Sequence, residues 1–296
     1  MSFIFKLDFE QSNDQVDKKL IGEILFEGLS AYKMNKMKKI LMNARIESIQ
    51  LPTTCGVSLI ALPNGNVVYG TYRKVFLLNE NNFQEIKRVS TGGDSFCALN
   101  SRNDICVSVH HEHCIRLFDL NLNQLKQFGS EGAENNQLNN PSGLCCHGDY
   151  VYICDRGNKR IQILNLDLEY SNTIQIDDYP RRVQTSETSI GVSCYTGLTF
   201  FFDLKTRALK HKHDNYETCN INYIDSTFYC LSYTNAVFQQ RKFYFFDSDG
   251  NFIEEMAINE NLIEHINRHT AGTMCKYKDQ LYLIAFLSGK LIKFLE

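Results

Sequence analysis

No run of 18 or more apolar residues occurs in this 296-residue chain, so no membrane-spanning helix is expected. The N-terminal "MSFIFKLDFEQSND" lacks a basic leader followed by an unbroken apolar segment. It reads as an alternating strand, and no secretory signal is expected. Strong charge of either sign is missing too. The net charge of −3 argues against whole-protein attraction to nucleic acid or to an anionic membrane, while leaving room for a local basic face. No C-x-x-C pair exists among the 11 cysteines, which excludes the zinc ribbons and RING-type sites that need two thiolates on one turn. Cys145 and Cys146 are adjacent, pointing to opposite faces of a strand, and Cys97, Cys154, Cys194, Cys230 and Cys275 fall singly within apolar runs. They read as small buried hydrophobes in a reduced, cytoplasmic protein. Nor is there a G-x-G-x-x-G before a helix, a P-loop, a G-x-S-x-G or an H-E-x-x-H. No cofactor is expected.

What the chain does have is apolar residues, 43% of the total against 22% charged, in a rhythm that repeats. The fullest copy is "NQLNNPSGLCCHGDYVYICDRGNKRIQIL", from Asn136 to Leu164. It has a Pro-x-Gly opening, an alternating apolar run, a polar turn and a second alternating run. The same grammar occurs at 66–79, 104–119, 189–203, 227–247 and 280–295, giving six copies. Each ends on a bulky residue: Leu78, Phe118, Leu164, Phe202, Phe246 and Phe294. All but the last are followed directly by Asp or Asn, and the spacing averages about 43 residues, the period of a four-stranded blade. A short inner-strand candidate precedes each copy ("CGVSLIAL", "DSFCALN", "PSGLCCHG", "PRRVQTS", "NINYID", "GTMCKYK"). Outer-strand candidates such as "FQEIKRVS", "LKQFGS" and "SNTIQI" follow.

Four strands per unit cannot cover their own faces, but six units stacked radially can. The expected fold class is therefore all-β: a six-bladed β-propeller of four-stranded blades over residues 41–296. The last copy stops without an outer strand, and 41–51 ("LMNARIESIQL") is expected to supply it. Residues 1–40 form a separate N-terminal extension. It comprises the strand already noted and one helix, marked by Val16, Leu20, Ile24 and Leu25 at helical spacing behind a capping-box form at Ser12 to Gln15.

"NPSGLCCHGDYVYICDRGNKRIQIL" resembles an NHL repeat, whose pattern runs Pro-x-Gly, Gly-Asp, a Val-Tyr-like pair, Asp-x-Gly-Asn-x-Arg and Ile-Gln. The first two copies keep the pattern in part, and the last three keep only the strand rhythm. A WD-repeat propeller fits less well, since tryptophan is absent. The resemblance implies a module that recruits protein partners, as NHL propellers of the multidomain TRIM-NHL type do. It also implies two alternatives: a reader of single-stranded RNA, or a metal-dependent lyase of the peptidyl-amidating type. The cysteine-histidine spacing of a RING or B-box is lacking, so ligase activity does not carry over.

Candidate ligand residues gather in the turns between the second and third strands and at inner-strand starts, which open on one end of a propeller. They are Arg73, Lys74, Arg156, Lys159, Arg181 and Arg182, with Tyr72, Tyr195 and Tyr233 to stack on bases or rim a protein interface. In "CDRGNKR", Gly157 and Asn158 are expected to take the positive-φ positions of the turn, with Asp155 and Arg160 bonded within or between blades. "HHEHC" offers His111 and His113 to zinc or copper on one strand face if the backbone is extended there. The cluster occupies a variable hairpin slot, so the structural reading is preferred to a metal site. The expectation is a non-catalytic protein-binding module, with RNA as the alternative ligand, catalysis third, and no membrane association.

Overall fold

Strands with apolar residues at both alternating parities need cover on both faces, and here they receive it. A computed structural model describes residues 45–53, 56–214, 219–232, 242–257, 274–277, 280–285 and 290–295. The expected helix of the first forty residues lies outside them. The described chain is all-β apart from two short 3₁₀ turns.

Its strands form six antiparallel sheets in sequence order. The first joins β2 (Gly56–Ala61), β3 (Val67–Leu78) and β4 (Glu85–Asp94). The second joins β5 (Cys97–Leu99), β6 (Ile105–Val109), β7 (Cys114–Phe118) and β8 (Gln124–Phe128). The third contains β9 (Pro141–His147), β10 (Tyr150–Asp155), β11 (Arg160–Asn165) and β12 (Tyr170–Gln175). In the fourth are β13 (Pro180–Thr185), β14 (Ser189–Cys194), β15 (Leu198–Asp203) and β16 (Leu209–Asp214). The fifth has β17 (Cys219–Ile224), β18 (Thr227–Ser232), β19 (Lys242–Phe246) and β20 (Phe252–Ala257). The sixth is β21 (Met274–Tyr277), β22 (Gln280–Ala285), β23 (Lys290–Leu295) and β1 (Arg45–Gln50). β1 pairs antiparallel with β23 from Arg45↔Leu295 to Gln50↔Lys290, within the span expected to supply that strand.

β3 does the work of two strands. The Tyr69 and Phe76 rings lie 6.1 Å apart, whereas seven residues of straight strand would span about 23 Å. The chain reverses at Tyr72 and Arg73, where Arg73 has φ 70° and the Thr71 hydroxyl donates to the Lys74 carbonyl at 2.9 Å. All six sheets are thus four-stranded, consistent with a β-propeller.

From the first sheet to the fifth, successive sheets share buried cores, and the first shares another with the sixth. Val68, Val75 and Leu77 meet Ile105, Val107 and Val109 of the second sheet, while Val67, Tyr69, Phe76 and Leu78 point the other way toward Leu291 of the sixth. Cys145, Tyr152, Ile161 and Ile163 of the third sheet pack on Val183, Val192 and Phe200 of the fourth. Phe201 packs on Phe228 and Phe246 of the fifth, with ring centroids 5.1 and 5.0 Å away. Small hydroxyls form bonds across these seams. Ser58 Oγ donates to Ser95 O at 3.2 Å, Ser142 Oγ donates to Pro180 O at 3.1 Å, and Ser193 Oγ accepts from Ile221 N at 3.2 Å.

The Asp or Asn after each bulky strand end has a local purpose. In the five turns from third to fourth strand, Asn79, Asp119, Asn165, Asp203 and Asp247 each accept backbone N–H groups on Oδ1. A left-handed residue follows each: Phe83, Leu122, Leu168, Arg207 and Gly250. This turn repeats where the surrounding sequence does not.

Candidate interaction face

The turns between second and third strands share one end of the sheets with the links that lead to the next inner strand. Three backbone bonds show the proximity: Ser95 N to Thr71 O (3.1 Å), Gly157 N to Asn139 O (2.7 Å) and Tyr195 N to Tyr179 O (3.0 Å).

In the third sheet the turn is a 3₁₀ segment, Arg156–Asn158, with Lys159 left-handed at φ 52°. Lys159, rather than Gly157 or Asn158, therefore takes the positive-φ position. Gly157 is needed for another reason: a Cβ there would sit 2.5 Å from Asn139 Cγ, so the incoming link can cross only a bare backbone. That link, residues 129–140, is pinned from below. Arg160, buried, donates to Asp155 at 2.6 Å and to the carbonyls of Ala133, Glu134 and Gln137 at 2.8–2.9 Å. Asp155 also accepts from Asn139 N at 2.6 Å and Asn158 Nδ2 at 2.8 Å. Burial raises the Asp155 carboxyl above its ordinary range, with these donors acting against it. The pair is the scaffold of the face, not part of its exposed surface.

On that scaffold the basic candidates are held by aromatic rings. The Arg156 guanidinium lies 4.2 Å from the centre of the Tyr195 ring, and Arg181 lies 5.2 Å from the same ring. Lys159 Nζ is 4.6 Å from the Tyr179 ring centre. Asp178, buried between them, accepts from Tyr179 N at 2.6 Å and from the Thr196 hydroxyl, which fixes the turn carrying Tyr195. In the first sheet Arg73 lies 5.0 Å from the centre of Tyr72, which is 44% exposed, and Lys74 is exposed beside it.

The histidine turn bridges these groups. The His111 ring meets Tyr72 edge-on at 6.4 Å and His110 at 4.8 Å. His110 is half-buried, with Nδ1 3.1 Å from Pro141 O. Burial lowers its pKa, and the charges of His111 and Arg156 act in the same direction. The backbone here is not extended. His110–Glu112 is a 3₁₀ turn, and His113, left-handed at φ 53°, accepts on Nδ1 from Asn140 N at 3.2 Å. His111 and His113 therefore serve different neighbours, and the described residues contain no group of three His, Cys, Asp or Glu able to hold a metal ion.

Arg182 leaves its neighbour and turns inward. Its guanidinium lies 4.2 Å from the Phe96 ring centre and donates to the Val57 carbonyl, so a side chain of the fourth sheet reaches the first and second. Gly143 leaves the room: a Cβ there would lie 2.8 Å from Arg182 Cα and 3.0 Å from its Cδ. Tyr233 lies outside the described residues. His110, Tyr179 and Phe96 were not singled out in the sequence. Tyr179 stood next to the inner-strand start that carried Arg181, which was the available signal for it.

Eight cysteines among the described residues are free, seven of them buried. Burial pushes the thiols of Cys97 and Cys145 up to about 12. None of the described helices is long and apolar enough to cross a membrane.

No protein-family profile and no curated sequence matches this chain. Among solved structures it is similar to a protein of unknown function from Bacteroides caccae, at 9% identity and a TM-score of 0.54 over 68% of this chain and 81% of that one. At that identity, the likeness bears on the fold.

Proposed function

We propose that the six sheets close into a six-bladed propeller of NHL type, and that the chain is a non-catalytic module presenting the face of its second-to-third-strand turns to a protein partner. Closure is supported by the inner strands, which neighbour one another in cyclic order: β2, β5, β9, β13, β17, β21 and β2 again. The β1–β23 pairing and the reach of Arg182 support it too. A cytoplasmic setting fits the free, buried thiols.

The observation that carries the functional reading is the line of side chains across four consecutive sheets: Arg73 and Tyr72, His111 and His110, then Arg156, Tyr195 and Arg181. Tyrosine and arginine are the residues that concentrate binding energy at protein interfaces, and here the scaffold beneath them is already ordered. Single-stranded RNA is the second reading, favoured by the exposed Tyr72 ring beside Arg73, where a base could stack. Capture from native lysate, with and without nuclease, tests both. The expected result is a protein retained in nuclease and lost with Tyr72→Ala and Arg156→Glu. Capture abolished by nuclease would favour RNA, and capture indifferent to both substitutions would remove this face from the function.

A further inference from the structure

Resting on that interaction-face reading, we infer that the cationic cluster at the seam of the third and fourth sheets, Arg156, Lys159 and Arg181, binds a phosphorylated serine or threonine side chain of the partner protein. Two guanidiniums share one phenol ring, at 4.2 and 5.2 Å from its centre. The ammonium of Lys159 is placed next door, since Lys159 O accepts from Ile176 N at 2.9 Å and Tyr179 O accepts from Tyr195 N at 3.0 Å. Bringing three positive groups together in a protein of net charge −3 opposes their mutual repulsion. Among the described residues neither Arg156 nor Lys159 has an ion-pair partner to relieve it. A phosphate monoester carries about −1.5 to −2 charge at neutral pH and three acceptor oxygens, which match planar guanidinium forks.

Two features favour this ligand over a nucleic-acid strand. Two guanidiniums already share the half-buried Tyr195 ring, so it holds charge rather than offers a stacking surface. The positive region is also short. Glu112 belongs to the histidine turn itself, and Glu131 and Glu134 are exposed on the 129–140 link. Asp177 is exposed beside Tyr179, and the charge of Asp94 acts on His110. A chain bearing one phosphate group on one side chain fits between these acids, whereas a backbone with a phosphate at every residue meets them.

The test uses the full chain against three immobilised probes. They are a degenerate peptide library with a central phosphoserine or phosphothreonine, the same library unphosphorylated, and a random single-stranded RNA 12-mer. Phosphate-dependent retention is expected, weakened roughly tenfold or more by Arg156→Gln or Arg181→Gln. Arg88→Gln on the outer strand β4 should leave it unchanged, with melting curves to show that each variant is folded. Equal retention of both peptide libraries, or retention of RNA alone, overturns the proposal. If no probe is retained yet the lysate partner is still captured and lost with Arg156→Glu, the phosphate assignment falls and the interaction face stands. Lysate capture that survives the face substitutions, alongside phosphopeptide binding lost in Arg156→Gln, upholds the phosphate site and refutes that reading of the partner.

Discussion

Asp155 and Arg160 are buried together, and neither could be tolerated there alone. A buried ion pair is weak evidence for stability as such, because desolvation offsets much of its attraction. Removing one member is different, since it strands the other. Asp155→Ala would leave the Arg160 guanidinium buried without its counter-charge, bonded only to carbonyls, and withdraw the acceptor from Asn139 N and Asn158. The expected loss is about 3–5 kcal/mol in urea unfolding, with a smaller loss in the Asp155→Ala/Arg160→Met double variant than the single changes would sum to. A double variant as costly as that sum would mean that the pair acts only through the 129–140 link. That two such residues would bond to each other was legible in "CDRGNKR". The three bonds from Arg160 to a link some two dozen residues earlier were not, because its carbonyl partners carry no side-chain signal.

At the scale of single elements, the third-to-fourth-strand turn makes the repeat. Asp203 accepts from Lys205 N, Thr206 N and the Thr206 hydroxyl, all on Oδ1. The Thr206 backbone N–H, first among these, holds its carboxyl below the ordinary value of 3.8. A carboxylate depressed in the folded state adds stability above its unfolded pKa and loses it as the pH falls through the folded one. Asp203→Asn keeps the single acceptor oxygen, as Asn79 and Asn165 do naturally in their own turns. It should change stability little at pH 7 and flatten the loss below about pH 4. An unchanged acid profile would show that the turn bonds Asp203 no better than solvent does. The recurrent Asp or Asn was visible in the sequence because one side chain does the same job five times. The second-to-third-strand turns are less legible in the sequence, because they differ in construction. One is a tight reversal with Arg73 left-handed, and two are 3₁₀ turns that place His113 and Lys159 in that conformation. Local propensity points to Gly157 and Asn158 instead, and the packing of Asn139 over Gly157 overrides it.

For the whole molecule, the proposed ring has a thermodynamic consequence that an open row lacks. In a linear array each unit is stabilised by its neighbours alone, so damage at one end stays local. In a closed ring every sheet has two neighbours, and loosening one seam removes support from both directions. Ile49 sits at the seam of the sixth and first sheets. It pairs with Leu291 and packs on the core of Leu51, Leu59, Tyr69 and Phe76. Ile49→Asp would set a charge against that core, at a cost of about 2–4 kcal/mol. If the ring is closed and unfolds as one unit, amide hydrogen exchange should accelerate in the inner strands of all six sheets, including β9 and β13 on the far side, by a common factor of about 30 to 1,000. Acceleration confined to β1, β23 and β2, with β9 and β13 unchanged, would mean that the sheets form a row whose ends merely lie close. Arg182 would then bridge a gap rather than cross an axis, and the face spanning four sheets would lose the rigidity on which partner binding depends.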